Sequence, residues 1–291
     1  MTQRPFIRII HGDCRDQLAK LKPESVHLVI TDPPYFLDGL DGAWKKGTKD
    51  SPRATGTIGG LPVGMKFDPQ QGVRLQQFIG HVGALLHRVM VPGAFAVFFS
   101  QPRLAHRMAV GLEDAGFNIR DLLAWHFTTK AQFKAFSHNH FIDKMPLNEK
   151  DKVALKKSMD GLKTPQLRPQ FETMILAQKK KQGTSIDNWQ AFGTGFINAN
   201  ESLDGKAPST VMVVEKPKKE TYNSHLTVKP LVLKEHLIKL LSSPHQVVLD
   251  PFLGSGTTAL AANNTQRSCI GIEIHRDYVS IAQQRLKTTS I

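Results

Sequence analysis

The chain of 291 residues is 40% hydrophobic and carries a formal net charge of +13. A positive charge of this size favours a protein that binds a polyanion such as nucleic acid over a basic soluble protein without such a partner. This length allows one large domain or a domain with a large insertion, while the two cysteines, Cys14 and Cys269, lack the spacing of a disulfide framework or a zinc site. Because no apolar run could span a membrane and the N-terminus lacks the pattern of a signal peptide, we expect a cytoplasmic protein.

The first 129 residues alternate between predicted strands and predicted helices. The spacing of apolar residues predicts strands at 7–10, 26–31, 94–99 and 119–127, and helices at 15–21, 73–90 and 103–116. A turn is expected at Pro92-Gly93. Residues 36–69 are rich in Gly, Lys and Asp and show no clear period, which predicts a mobile, functional loop. The alternation of strands and helices predicts an α/β fold with a parallel sheet.

The pattern breaks between residues 130 and 224, where the sequence is polar, basic and punctuated by Pro and Gly. Twelve Lys or Arg residues stand against five Asp or Glu residues between Lys130 and Lys181, so part of the positive charge is local. Apolar patches such as Met174-Ile175-Leu176 favour an inserted region with structure of its own over a linker. The α/β pattern then resumes, with helices at 231–242, from 257 and at 277–287, and strands at 246–250 and 269–274.

The segment from Asp250 to Thr258, with the sequence DPFLGSGTT, links a predicted strand to a predicted helix. A glycine turn in this position lets backbone amides approach a ligand closely, and no Lys follows as a Walker phosphate loop would require. The next strand ends at Glu273, 19 residues after Gly254, where a carboxylate can accept both hydroxyl protons of a ribose. Taken alone, the glycine loop could be a simple turn and Glu273 an ordinary acidic residue. The two features together predict a nucleoside-bearing cofactor.

The tetrapeptide Asp32-Pro33-Pro34-Tyr35 follows the predicted strand at 26–31. An exocyclic amino group of a base is a poor nucleophile, and Asp32 and the Pro33 carbonyl are able to accept its two hydrogens. The prolines restrict the direction of that carbonyl, and Tyr35 offers an aromatic face for a base taken out of a duplex. A proline turn between strand and loop is the alternative interpretation.

The tetrapeptide, the glycine loop downstream and the basic stretch between them resemble, in identity, order and spacing, the β class of amino-directed DNA methyltransferases. Related RNA and protein-glutamine methyltransferases place the glycine loop first. The resemblance implies a Rossmann-like class I S-adenosylmethionine-dependent methyltransferase fold that is circularly permuted, with the N-terminal strand beside the strand that ends at Glu273. It divides the chain into a catalytic and cofactor-binding domain, residues 1–129 and 225–291, and an inserted target-recognition region, residues 130–224.

The resemblance also assigns roles to individual residues. The catalytic residues are Asp32, Pro33, Pro34 and Tyr35. Contacts with S-adenosylmethionine are expected from Asp13, Cys14, Asp32, Thr227, Lys229, Asp250, Phe252, Gly254, Ser255, Gly256, Thr257 and Glu273. Among these, Asp13 would accept a bond from the cofactor's adenine amino group, and Thr227 and Lys229 would contact its carboxylate. DNA contacts are expected from Lys130, Lys134, His138, Asn139, His140, Lys156, Lys157 and Arg168.

The function that the resemblance implies is site-specific methylation of adenine N6 in double-stranded DNA, with the 36–69 loop closing over the DNA. Asp rather than Ser at the first position of the tetrapeptide favours adenine. Cytosine-N4 methylation, a catalytically silent nucleic-acid-binding protein and an RNA substrate remain as alternatives. A homodimer and a cognate restriction endonuclease are expected by analogy. No metal is expected, because three consecutive residues, His138-Asn139-His140, cannot form the spaced ligand set of a nuclease.

Overall fold

The computed structural model describes residues 5–35, 70–127, 138–164, 167–217, 223 and 228–288. The predicted loop at 36–69 lies outside these residues, as do Lys130, Lys134 and Thr227. The chain divides into a larger unit, Met1–Phe127 with Phe171–Ile291, and a smaller unit, Thr128–Gln170. These limits differ from those of the predicted insertion, because all of 171–224 belongs to the larger unit.

Strands and helices are found at every position where the sequence predicts them outside 130–224, with bounds that differ by a few residues. The strands are β1 (Ile7–His11), β2 (Val26–Thr31), β3 (Met90–Ser100), β4 (Phe117–His126), β5 (Phe171–Lys179), β6 (Val211–Val213), β7 (Val247–Asp250) and β8 (Ser268–Glu273). The helices are α1 (Cys14–Lys20), α2 (Gln71–Val89), α3 (Ala105–Asp114), α4 (Asn139–Asp143), α5 (Glu149–Ser158), α6 (Ser185–Phe192), α7 (Leu231–Leu241), α8 (Thr257–Asn264) and α9 (Arg276–Thr288). Helices α4 and α5 belong to the smaller unit.

The eight strands form one mixed sheet in the order β1-β8-β7-β2-β3-β5-β4-β6. All neighbours are parallel except β5, which runs antiparallel to both β3 and β4. The expectation of a parallel sheet is therefore wrong at β5. That strand contains Met174-Ile175-Leu176, which the sequence had indicated only as an apolar patch. A buried strand shows the same continuous apolar run whichever way it points, so its direction is not visible in the pattern.

Pro92-Gly93 lies inside β3 and is not the predicted turn. The pairing of β3 with β2 shifts between Val26↔Met90 and Leu28↔Phe95, so β3 carries extra residues at this point. Gly93 has a φ of 75°, and a Cβ there would meet the Asn188 Nδ2 atom at 2.3 Å. The two residues thus form a bulge, a place where Pro and Gly are tolerated within a strand.

Parallel pairing brings the carboxyl ends of four strands to one edge of the sheet. As predicted, the N-terminal strand β1 is the neighbour of β8, with His11 opposite Glu273. Strand β7 pairs with β8 on one side and with β2 on the other. Asp13, Asp32, Asp250 and Glu273 consequently lie at or just beyond the same edge. Within the described residues, none of the helices combines the length and the apolar character that a membrane span requires.

Candidate active site

A cavity of about 410 Å³ lies at this edge of the sheet. Ligands of open α/β sheets bind in crevices outside the carboxyl ends of the strands. Its lining includes the predicted site residues Asp13, Cys14, Asp32, Pro34, Tyr35, Lys229, Asp250, Phe252, Gly254, Ser255, Thr257 and Glu273. Two of the predicted catalytic and cofactor-binding residues in the described ranges, Pro33 and Gly256, are absent from the lining. The structure thus brings both predicted motifs together around one cavity, although they are more than 200 residues apart in the chain.

Asp250, the last residue of β7, holds the start of the glycine loop. Its Oδ1 atom accepts hydrogen bonds from the Thr31 hydroxyl at 2.7 Å and from the Phe252 amide at 3.1 Å, and its Oδ2 atom accepts one from the Thr258 hydroxyl. The Lys234 Nζ atom lies 3.9 Å from Oδ2. Both carboxylate oxygens are therefore engaged within the protein, which makes Asp250 an anchor of the loop.

Glu273, the last residue of β8, ties the glycine loop to the neighbouring strand end. Its Oε2 atom accepts a hydrogen bond from the Gly254 amide at 2.7 Å, and Oε1 accepts one from the His275 amide at 2.8 Å. Burial raises the pKa of Glu273, and the two backbone amides act in the opposite direction. Each carboxylate oxygen has lone pairs beyond the one that its amide uses, so Glu273 can also accept hydroxyl donors from a ligand in the cavity that it lines.

Gly256 is the point at which the glycine loop packs closely against α9. Its φ is 87°, and a Cβ built there would lie 2.6 Å from the Ala282 Cβ atom of α9. Nearby, the buried Arg285 of the same helix donates hydrogen bonds to the Ser255 carbonyl at 2.9 Å and to the Thr257 hydroxyl at 3.0 Å. Gly256 is needed both for its backbone conformation and for the close packing of α9 against the loop.

We expect Gly256→Ala to destabilise the protein by about 2–4 kcal/mol, because left-handed strain and overpacking both act at this position. Gly205→Ala is the matched control, since Gly205 has a φ of 78° but nothing within 4 Å of the point where a Cβ would lie. Denaturant unfolding of both variants measures the difference. Equal losses of stability in the two variants would show that the contact with Ala282 contributes nothing.

Asp13 is the N-cap residue of α1 and is paired with Arg15. Its Oδ1 atom accepts a hydrogen bond from the Arg15 amide at 2.8 Å, and the Arg15 Nη2 atom lies 2.6 Å from Oδ2. The hydrogen bond from the Arg15 side chain lowers the pKa of Asp13. Burial raises the pKa of the neighbouring Cys14 thiol to about 12, so the thiol is neutral at the edge of the cavity. The guanidinium partner of Asp13 was not foreseen from the sequence.

The tetrapeptide after β2 is held by side chains from distant parts of the chain. The Tyr35 hydroxyl donates a hydrogen bond to Asp32 Oδ1. The Gln71 side chain at the start of α2 donates to the Tyr35 carbonyl at 2.8 Å, and Arg103 donates to the Gln71 Oε1 atom at 3.0 Å. Burial, followed by the negative charge of Asp32, raises the pKa of Tyr35 well above its ordinary value. The phenol therefore stays protonated and orients one oxygen of Asp32.

The second oxygen of Asp32 is held by Lys229. The Lys229 Nζ atom lies 2.8 Å from Asp32 Oδ2 and 2.9 Å from Glu172 Oε2, and only 7% of its side chain is exposed. Burial alone would lower the pKa of Lys229, but the charges of Asp32 and Glu172 outweigh burial and raise it. In this structure the ammonium contacts carboxylates of the protein, so its expected contact with the cofactor carboxylate stays a prediction.

Several lining residues were not foreseen from the sequence. They include Arg15, Phe78, Lys234, Ile274, His275 and Tyr278. Lys234 is 3% exposed and lies on the buried face of α7, 4.8 Å from the centre of the Phe99 ring. Burial lowers its pKa. The one indication in the sequence that Lys234 lies in the site is its position on an otherwise apolar face of the helix, since lysines are rarely buried without a partner.

The smaller unit contains the described residues expected to contact DNA. Asn148 caps α5 by accepting a hydrogen bond from the Asp151 amide at 2.9 Å. On this helix the Lys156 ammonium is paired with Asp143, whereas Lys157 is exposed, as is Arg168 further along. His138, Asn139 and His140 lie at the start of α4. Part of the positive charge of this unit is thus already compensated internally.

Comparison with known families gives one match that spans most of the chain. A family model described as DNA methylase, for amino-directed N6 and N4 enzymes, matches residues 26–284. Among curated proteins, the chain is 28% identical to the type II methyltransferase M.HindIII of Haemophilus influenzae, covering 96% of this chain and 94% of that protein. It is 25% identical to the DNA adenine methyltransferase YhdJ of Escherichia coli K12, covering 97% and 83% respectively.

Solved structures resemble the chain over nearly all of its length. The PvuII DNA methyltransferase, described as cytosine-N4-specific, superposes with a TM-score of 0.64 at 16% identity, covering 97% of this chain and 89% of that one. The complex of M1.HpyAVI with S-adenosylmethionine superposes with a TM-score of 0.56 at 20% identity, covering 96% and 98%. At these identities the likeness concerns the mixed α/β fold of such methyltransferases.

Proposed function

The chain belongs to the N6/N4 amino-directed DNA methylase family, and from this premise we propose that it methylates adenine N6 of a base flipped out of double-stranded DNA. The observation that carries the proposal is the meeting of Asp32 and Tyr35 with the glycine loop and Glu273 around one cavity. Enzymes that act on a base within a duplex must first take it out of the stack.

The cofactor of the family is S-adenosylmethionine, and the cavity has the properties needed to hold it. A volume of about 410 Å³ lies within the range of ligand pockets. Glu273 would accept hydrogen bonds from ribose hydroxyls, while Cys14, Phe252 and Ile274 supply apolar walls. When bound, the cofactor would supply an electrophilic methyl group on a positively charged sulfur that can leave with the electron pair of the S–C bond. The proton that the methylated amino group releases would pass to water.

The protein's part in the reaction is to orient the target amino group. Asp32, which lines the cavity, would accept one amino hydrogen. The Pro33 carbonyl is the proposed acceptor of the other, although Pro33 is buried and does not line the cavity. Together the two acceptors would direct the nitrogen lone pair towards the methyl group. Because Tyr35 and Lys229 hold the two oxygens of Asp32, the acceptor is in place before the substrate arrives. Such preorganised acceptors lower the barrier without reorganisation during the reaction. No covalent intermediate with the base is required.

The choice of adenine is supported by the aspartate at position 32 and by the similarity to an adenine methyltransferase from Escherichia coli. The cytosine-N4 alternative is supported by the structural likeness to the PvuII enzyme. Both bases present an exocyclic amino group, so the same acceptors would serve either one. Selection of adenine over cytosine would therefore depend on the shape of the pocket that holds the base.

Mass spectrometry of nucleosides tests the proposed function. The purified protein is incubated with S-adenosylmethionine and unmethylated duplex DNA of mixed sequence, and the digested DNA is analysed. We expect N6-methyladenine. Detection of N4-methylcytosine would leave the proposed mechanism in place and change the target base to cytosine. Absence of any methylated base, with cofactor binding intact, would favour a silent nucleic-acid-binding protein or another substrate such as RNA.

We also propose that the fold is a circularly permuted class I methyltransferase fold with target recognition by residues from 130–224. Support for permutation comes from β1, which continues the sheet beyond the C-terminal strand β8. His138, Asn139, His140, Lys156, Lys157 and Arg168 would contact DNA, as would Lys130 and Lys134 outside the described residues. The homodimer and the cognate restriction endonuclease stay predictions.

Lys157→Ala should reduce DNA affinity for all sequences alike and lower the slope of log K against log salt by about 0.9, the value for one lost phosphate contact. Lys156→Ala should have a smaller effect because Asp143 already pairs with that ammonium. The control is Lys20→Ala, an exposed lysine at the end of α1. Salt titrations of binding measure all three slopes, and an unchanged slope for Lys157→Ala would exclude the phosphate contact.

A further inference from the structure

Glu172 lies beside the tetrapeptide although it is remote from both motifs in the sequence. It is the second residue of the antiparallel strand β5 and pairs in register with Trp125 of β4. About a third of its side chain, 31%, is exposed. Its Oε2 atom is buried and lies 2.9 Å from the Lys229 Nζ atom, in an ion pair that lacks hydrogen-bond geometry, and it accepts no hydrogen bond from the described residues. Neither the cavity lining nor the predicted site residues include it.

The Lys229 ammonium forms a bridge between Glu172 and Asp32. It lies 2.9 Å from one carboxylate and 2.8 Å from the other, and it also lies 5.2 Å from the centre of the Phe99 ring. A buried lysine is costly unless opposite charges compensate for its lost hydration. If Glu172 were absent, Asp32 would be the one carboxylate left beside this buried ammonium. Glu172 supplies the second and approaches from a different strand.

We infer that Glu172 is a positioning residue for methyl transfer, which keeps the Lys229 ammonium against Asp32 and so keeps the Asp32 carboxylate aimed at the target amino group. The inference rests on the proposed function. Glu172 acts through Lys229 and does not itself reach the base. Its removal should therefore slow the chemical step and leave cofactor binding unchanged.

The charged and titratable groups around Lys229 give the direction of the pH effect. Asp32 and Glu172 favour its charged form, and the buried Lys234 opposes it. Tyr35 faces the same carboxylates and stays protonated. The pKa of Lys229 is raised in the wild type, so the ammonium persists well into the alkaline range. Without the charge of Glu172, burial should lower that pKa, and the ammonium should be lost at a lower pH.

The test is the pH dependence of the single-turnover methyl-transfer rate, because product release can mask chemistry in steady-state rates. We expect Glu172→Gln to move the alkaline limb of the profile at least about one pH unit lower. Cofactor affinity should match the wild type. The matched control is Glu24→Gln, which removes the same charge from a 3.5 Å ion pair with Lys179 whose glutamate is 47% exposed. This control should leave the profile unchanged.

A second measurement does not depend on activity. NMR titration of protein labelled with ¹³C-lysine, with the Lys229 signal assigned through Lys229→Arg, should show a lower titration midpoint in Glu172→Gln and an unchanged one in Glu24→Gln. An unchanged midpoint would overturn the inference, and so would a lowered midpoint with a wild-type pH–rate profile. A wild-type protein that transfers no methyl group to DNA would instead overturn the proposed function.

Discussion

Asp32→Ala should lower the single-turnover rate of methyl transfer by about 10²–10⁴-fold, the range typical of a positioned polar group at a reacting centre. Affinity for S-adenosylmethionine should stay close to the wild type, because the glycine loop and Glu273 remain in place. The reason for the loss is geometric: Asp32 is the side-chain acceptor for the target amino group, and its two oxygens are oriented by Tyr35 and Lys229. Rapid-quench assays with labelled cofactor measure the rate, and calorimetry measures the affinity.

The structure explains why this variant should still fold and how to control for it. Lys229 keeps its 2.9 Å ion pair with Glu172 when Asp32 is removed, so no buried charge is left without a partner. The Tyr35 hydroxyl does lose its acceptor, at a cost of about 1–3 kcal/mol. Tyr35→Phe removes the same hydrogen bond from the donor side, leaves no unpaired hydroxyl and should slow transfer far less. A near-native rate for Asp32→Ala would show that the proposed mechanism is wrong.

Glu273→Ala should weaken binding of S-adenosylmethionine by about 100-fold or more, because two hydrogen bonds from ribose hydroxyls to a charged acceptor contribute about 1.5–3 kcal/mol each. The variant also removes the acceptor of the Gly254 and His275 amides. The loop that surrounds the cofactor therefore loses its tie to β8. Calorimetric titration with the cofactor measures the effect without DNA and without turnover.

Asp277→Asn provides the control for charge, since Asp277 is an exposed acid only four residues away in the first turn of α9. It should bind the cofactor like the wild type. Thermal unfolding of the ligand-free proteins separates loss of the loop anchor from loss of the ligand contact. Wild-type cofactor affinity in Glu273→Ala would remove Glu273 from the binding site.

Patterns within short stretches were enough to predict most elements of this protein. The strand at Val26–Thr31 was predicted at its observed bounds, and Glu273 was expected at the end of a strand beside the N-terminal strand. Both motifs are contiguous in the chain, and each combines a strand end with residues whose chemistry is recognisable from their order. Backbone periodicity and turn chemistry are local properties, so a single sequence displays them directly.

Other features depend on contacts between distant segments, and the pattern of apolar and turn residues in the sequence did not indicate them. The reversed direction of β5 is one, and the bulge that absorbs Pro92-Gly93 is another. The bridge from Glu172 through Lys229 to Asp32 joins three segments that no motif connects. Periodicity reports which side chains are buried but not which neighbour covers them. The motifs, their chemistry and the α/β pattern are local, so they could be read from the amino acid sequence. Strand direction and the charge partners of the site follow from packing between distant segments, and they became visible in the folded structure.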